Sequence, residues 1–331
     1  MGAGAADYTP AARDTPDARP PPGRDLAMDD MNISVCIATY RRTDRLALLL
    51  DDLARQTLAP AEVVVVDNDA GASARSVVES RRAAAPYSLR YDIQPERNIA
   101  RTRNLTVALA QGAWLAFIDD DERARPEWLE RLVRAAQEFK ADCVLAPVEP
   151  QVPEHAPAWI RRGRFYDFPH LADGATVPLN RMRFGNVLLD GARLRAEPGP
   201  FDVRYGLMTG EDADLLIRLA AKGARIVWSE SAPVYEPIEA ARLSLPWLLQ
   251  RALSGGQEFA RKTLDGKYGA VSRLRRIDLF ARALAQLLLA AVLGLICLPL
   301  GRHRAAQWLV RASANLGKLS VFWGWRYHEY A

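Results

Sequence analysis

An α/β fold is what this 331-residue sequence predicts, Rossmann-like, with a mostly parallel sheet and helices on both faces. Three observations predict it. The runs "ISVCIAT" (33–39) and "EVVVVDND" (62–69) are apolar at nearly every position, not every second one, as in strands covered on both sides. Such runs alternate with stretches of helical period, the rhythm of strand–helix–strand units. Several of them also stop abruptly in acids, at the carboxyl ends of strands, where open α/β sheets bind their ligands.

In chain order, "ISVCIAT" predicts the first buried strand, and "TDRLALLLDDLARQ" (43–56) a helix with Thr43 or Asp44 as its N-cap. "EVVVVDND" is the second strand. "NLTVALAQ" (104–111) reads as helix and "AWLAFIDDD" (113–121) as strand. "PEWLERLVRAAQEF" (126–139) is a helix with Pro126 at its first position, and "DCVLAPV" (142–148) is a strand. Residues 151–183, rich in Pro, Arg and aromatics, predict a long loop over the sheet. "FGNVLL" (184–189) resumes strand character. "EDADLLIRLAAKG" (211–223) is a helix stopped by Gly223, "ARIVWS" (224–229) a strand, and "LPWLLQRALSGGQEFARK" (245–262) helical around a Gly-Gly break.

The two ends differ from this core. Residues 1–31, rich in Ala, Pro, Asp and Arg and without an apolar run, predict a disordered leader, with Met28 or Met31 as an alternative start. Residues 32–262 are then expected to form the α/β unit. In 263–331, "LFARALAQLLLAAVLGLICLPL" (279–300) approaches the length of a bilayer span. Arginines flank it on both sides (Arg273, Arg275, Arg276; Arg302, Arg304), whereas a single span normally has its excess on one side. "AAQWLVRASANLGKLSVFWGWRY" (305–327) is amphipathic and ends in Trp323, Trp325 and Tyr327, the look of interfacial anchors. Helices that enter and leave one leaflet, or lie on the membrane surface, are expected. A soluble helical hairpin is the alternative.

The composition, 49% hydrophobic and 25% charged with net charge +4, is that of a mildly basic globular protein. The arginines are scattered and no nucleic-acid motif is present, so no nucleic-acid partner is expected. A basic surface suits anionic lipids or phosphorylated substrates. Cys36, Cys143 and Cys297 are isolated in apolar runs and predict buried thiols, not a zinc site or disulfides. "TYRRTDR" follows the first strand where a dinucleotide or P-loop fold would carry its glycines, against NAD or Walker-type binding.

Asp119, Asp120, Asp121 and Glu122 end one strand together. Two carboxylates about 4 Å apart repel by roughly 4 kcal/mol at an effective dielectric near 20. A helix N-terminus does not account for them, because Pro126 marks the next first turn five residues on. Arginine pairing through Arg123 or Arg125 remains open. A hard divalent cation shared with substrate phosphates is the more economical expectation.

The blocks "ISVCIATYRR", "EVVVVDND", "RNIARTRN" and "WLAFIDDDE", in this order, resemble the nucleotide-sugar-binding half of family 2 glycosyltransferases, which have the GT-A fold. The resemblance runs over about residues 32–262. Through "APAWIRRG", "FGNVLL", "GEDADLLIRL" and "LLQRALSGGQEFAR" it is nearest to bacterial exopolysaccharide enzymes of the succinoglycan type.

The resemblance implies an inverting, metal-dependent transfer of a hexose from a nucleotide donor such as UDP-glucose to a polyprenyl-diphosphate-linked saccharide. This would take place at the cytoplasmic face of the bacterial inner membrane. Ala38, Thr39, Tyr40 and Arg42 would line the nucleotide pocket, and Asp67, with Asp69, would meet the base or ribose. Arg97, Asn98, Arg101 and Asn104 would approach the donor, and Arg251 the diphosphate. Asp119 and Asp120 would lie by the donor, and Asp121, with Asp119, would hold Mg²⁺ or Mn²⁺. Asp212 would be the general base, with Glu211 orienting it and Asp214 structural. Thr209 and Asp212 also have capping-box spacing, so a capped helix fits the same residues. Many family members carry a metal-ligating histidine after the strand matching "ARIVWS". Here "SAPVYEPIEA" has none, so either Glu236 substitutes or fewer protein ligands hold the metal. The alternatives are a nucleotidyltransferase and a non-catalytic membrane scaffold of the same fold.

Overall fold

The computed structural model describes residues 31–206 and 210–325. Most of the leader, together with Thr209 and Tyr327, lies outside the described residues. Met31 is an exception to the expected leader, since it is buried against the first core.

A seven-stranded sheet organises the molecule in the order β3-β2-β1-β4-β8-β6-β9. Its strands are β1 (Ile33–Thr39), β2 (Glu62–Asp67), β3 (Ser88–Ile93), β4 (Trp114–Phe117), β6 (Cys143–Leu145), β8 (Val187–Asp190) and β9 (Ile226–Trp228). Only β8 runs antiparallel to its neighbours. Except in the edge strand β3, alternate residues of each strand feed two separate cores, which is why those strands read as continuously apolar. Ile33, Val35 and Ile37 pack under α1 (Thr43–Leu53), α2 (Arg75–Arg82) and α4 (Trp128–Glu138). Cys36, Val64 and Phe117 pack under α3 (Ile99–Leu109), α6 (Gly191–Arg195) and α7 (Glu211–Ala221). A small sheet of β5 (Arg123–Ala124), β10 (Val234–Pro237) and β7 (Val148–Gln151) closes one side of the strand ends.

Several boundaries differ from the sequence reading. α1 takes Arg42 as its N-cap, without a side-chain cap. α3 begins five residues before the expected start, because the Asn98 side chain accepts the Arg101 N–H and caps it there. Pro126 precedes α4, whose N-cap is Glu127. Gly210, at φ +116°, precedes α7 and makes no side-chain cap, and Thr209, on which the capping-box alternative rests, lies outside the described residues. The stretch after 150 is not all loop: it holds part of β7 and α5 (Ala158–Gly163).

The C-terminal part is a layer of three helices. α8 (Leu245–Leu264) runs unbroken through Gly255 and Gly256. A Cβ on Gly256 would sit 2.0 Å from the Ala314 carbonyl oxygen, and one on Gly317 2.2 Å from that of Leu253. These glycines are therefore a close-packing seam between α8 and α10 (Arg302–Ser320), not a helix break. α9 (Arg273–Ile296) packs antiparallel on α10 through Leu279, Ala283, Ala290 and Gly294 and is otherwise open.

Candidate active site

The parallel pairing of β1 with β4 sets Cys36 beside Phe117, so the segments leaving both strands run side by side. Thr39 therefore reaches Asp120, donating from Oγ1 to Oδ2 at 2.7 Å. Arg42, at the start of α1, donates from Nη1 to Asp120 Oδ1 at 2.9 Å and lies 3.0 Å from Asp121 Oδ2. Arg242 approaches the same Asp121 oxygen at 3.0 Å and also pairs with Glu236. Glu122 folds back to accept the Asp119 N–H at 3.1 Å.

Arg103 joins this group to the second half of the chain. Its Nη2 donates to Asp119 Oδ1 at 3.1 Å and its Nη1 to Glu211 Oε1 at 2.6 Å. Beneath it lie the rings of Phe184 and Phe201, 5.3 and 5.8 Å away. Asp212, next along α7, accepts the backbone N–H of Phe184 at 3.0 Å and of Ala213 at 2.6 Å.

The arginines the sequence offered as partners of the acids are thus not the ones that pair with them. Arginines pair with them, and these are Arg42, Arg103 and Arg242, not Arg123 or Arg125. Arg123 is bound to Asp52, and Arg125 stacks on Tyr235. The pairing is incomplete. Burial, with Asp119 and Asp121 adding their charge, pushes Glu122 well above the usual carboxylate range. Burial also pushes Asp120 up to about 6 against the pull of Arg42. Among the described residues no three His, Cys, Asp or Glu side chains converge as a metal-holding group. Glu236, one of the two alternatives left by the missing histidine, pairs with Arg242.

The neighbouring acids Glu211 and Asp212 are shifted in opposite directions. Burial raises Glu211 to about 8 despite Arg103. Burial would raise Asp212 too, but Arg103, Lys262 and the two backbone N–H groups outweigh it and hold Asp212 below its usual value. Near neutral pH one is a carboxylic acid and its neighbour a carboxylate, the separation that acid–base sites use.

Not every residue singled out from the sequence reaches this crevice. Asp67 is fully buried: it accepts from the N–H groups of Asp69 (3.0 Å) and Ala74 (2.8 Å) and from the Tyr91 hydroxyl (3.0 Å). Through these bonds it shapes the loop after β2. Asn104 is spent on both backbone groups of Phe201, and Asn98 on capping α3 and on Val203. Arg101 pairs with Glu96 at the surface. Asp69 pairs with Arg41, and the guanidinium groups of Arg41 and Arg97 lie over the Tyr40 ring at 5.2 and 4.9 Å from its centre. Ala38 is half-buried near the end of β1, and Arg251 is exposed on α8. Asp214 is buried and paired with Arg218 and Lys267. Arg103 and Arg242 were missed. Arg103 left a readable trace, since it shares one face of α3 with buried Ala100 and Val107, where an arginine needs a carboxylate.

The sequence model of the family described as "Glycosyl transferase family 2" matches residues 34–187. The succinoglycan biosynthesis protein ExoM of Rhizobium meliloti (strain 1021) is 33% identical, over 89% of this chain and 94% of that protein. Validoxylamine A glucosyltransferase of Streptomyces hygroscopicus subsp. limoneus is 30% identical, over 82% of this chain and 69% of that one. Among solved structures, the mannosyltransferase PcManGT of Pyrobaculum calidifontis, in complex with GDP-Man and Mn²⁺, superposes with a TM-score of 0.61 at 18% identity, covering 87% of both chains. S. aureus TarS superposes at 0.50 and 19% identity, with 89% of this chain and 55% of that one covered. At these identities the superpositions speak for the fold, which is that of GT-A-like neighbours.

Proposed function

Given that this chain belongs to glycosyl transferase family 2, we propose that it is an inverting, metal-dependent enzyme of surface-polysaccharide synthesis. It moves a hexose, with UDP-glucose the expected donor, to a polyprenyl-diphosphate-linked saccharide at the cytoplasmic face of a bacterial inner membrane. The observation that carries this reading is Arg103, which ties Asp119 at the end of β4 to Glu211 beside Asp212. Donor-side acids and an acceptor-side base thereby share one crevice. The similarity to a protein of succinoglycan biosynthesis along 94% of its length supports the pathway class.

The donor set suits a hard divalent cation. Both arginine contacts to Asp121 fall on Oδ2, and the one to Asp119 falls on Oδ1. The Asp119 side chain is 44% exposed, open to a ligand from the crevice. Asp119 and Asp121 would hold Mg²⁺ or Mn²⁺, with donor phosphates and water completing its shell. Once bound, the ion would offset the charge that develops on the leaving diphosphate. Asp212, ionised and fixed by two backbone N–H groups, takes the proton of the acceptor hydroxyl. That oxygen attacks the anomeric carbon in line, and the electron pair of the breaking C–O bond leaves with the diphosphate. An α-linked donor therefore gives a β-linkage. Glu211, protonated and anchored by Arg103, keeps a second negative charge away from the base.

The C-terminal layer brings this crevice to the membrane. α9 is long and apolar enough to cross a bilayer by composition. It lies along α10, however, and α10 is docked on α8 through the glycine seam and on α5 through Gln307 and the Gly163 carbonyl. Both ends of α9 thus stay beside the catalytic unit, and its open side carries Leu284, Leu288, Leu289, Val292, Leu295 and Ile296. We read α9 as lying in the interface plane. Each such side chain taken from water contributes about 1.5–3 kcal/mol when fully buried.

Membranes carrying the protein, given a panel of labelled sugar nucleotides with Mn²⁺ or with a chelator, should place label in the lipid-linked extract only when the metal is present. Label from no donor in the panel contradicts the assignment. Equal transfer in chelator contradicts the metal.

A further inference from the structure

A cavity of about 480 Å³ opens where the α9–α10 turn meets α5, lined by Trp159, Arg162, Leu300, Arg302 and His303. The arginines of the crevice, Arg42, Arg103 and Arg242, are matched to carboxylates. Among the described residues Arg162 and Arg302 pair with none, and both are exposed. Two exposed guanidinium groups lining one cavity give it a positive potential that an anion would complement. The surroundings are apolar. Leu298 and Leu300 are 57% and 56% exposed beside the cavity, continuous with the open face of α9, and Trp159 stands edge-on to Phe165. Guanidinium groups beside a tryptophan and a leucine-rich helix match the phosphate level of a bilayer, with acyl chains just below.

We propose that this cavity binds the phosphate headgroup of a membrane lipid and thereby fixes how deep, and at what rotation, the α9–α10 hairpin sits. The proposal rests on the interfacial placement of α9 argued above and adds a defined phosphate site to it. Two guanidinium groups can share one phosphate through several N–H donors. The turn of the hairpin is then pinned to the surface, while Arg273 and Arg276 at the far end of α9 supply only diffuse attraction.

Co-sedimentation of the full chain with vesicles tests it. One set is pure phosphatidylcholine and the other contains phosphatidylglycerol. The expected results are binding to both, tighter to the anionic set, and a loss of that preference by roughly thirtyfold in the double variant Arg162→Ala, Arg302→Ala. The control pair Arg273→Ala, Arg276→Ala should lose at least about fivefold less. Equal losses from the two pairs, or no lipid preference in the wild type, overturn the phosphate site. If binding then still disappears with Leu288→Ser, Leu295→Ser, the docked hairpin stands without the site. A wild-type protein that binds neither vesicle overturns both.

Discussion

Arg103 lies on the buried face of α3 and holds two carboxylates that are 92 residues apart in the chain. Its partner Glu211 has a consequence for stability. Burial lifts Glu211 from an ordinary 4.5 to about 8, so across that range the folded chain keeps a proton that the unfolded chain releases. The native state then binds more protons than the unfolded one, and stability falls as pH rises. The contribution is complete below about 4.5 and gone above about 8. Glu211→Gln keeps the neutral shape at every pH. Its melting temperature should therefore gain on the wild type as pH is raised from about 5 to about 8.5. A constant offset across that range contradicts the buried, protonated Glu211. The sequence showed the acids plainly, because four in a row after an apolar strand are conspicuous. It did not show what neutralises them, because Arg42, Arg103 and Arg242 arrive from three distant segments and no local period links them to β4. Nor did it show the hydrogen bonds of Asp67, Asn98 and Asn104, whose partners lie up to about a hundred residues away.

Element by element, long apolar patterns were legible and short or polar ones were not. β1, β2 and β4 were found because both faces are buried. α2 and β3 went unread because β3 is the sheet's edge and its sequence, "SLRYDI", is half polar. β5 and β10 are two and four residues long, and only their pairing reveals them. The Gly-Gly of α8 was misread because glycine breaks a helix in isolation but lets two packed helices approach. Gly317→Ala tests that seam. Its Cβ would meet the Leu253 carbonyl oxygen at 2.2 Å, forcing α10 off α8 at a cost of about 1–3 kcal/mol. Amide exchange in α10 should quicken while that of the central sheet is unchanged. Unaltered exchange in α10 would mean that the seam is not tight.

At the scale of the whole molecule, the sheet presents the ends of β1 and β4 to one crevice. The second half of the chain returns α7 to the same place and then builds the helical layer beside it. The alternation of strands and helices made this architecture readable. The bridge from Asp119 to Glu211 through Arg103 was not readable, because no local period links α3 to either acid. The central claim is that two halves of one crevice, a donor side and an acceptor base, perform one transfer. The most direct measurement compares wild type with Asp212→Asn for donor binding by calorimetry and for transfer of labelled sugar in a single turnover. The account predicts unchanged donor affinity and a transfer rate lower by roughly 10²–10⁴-fold. Near-normal transfer by Asp212→Asn, or donor affinity lost along with it, would contradict it.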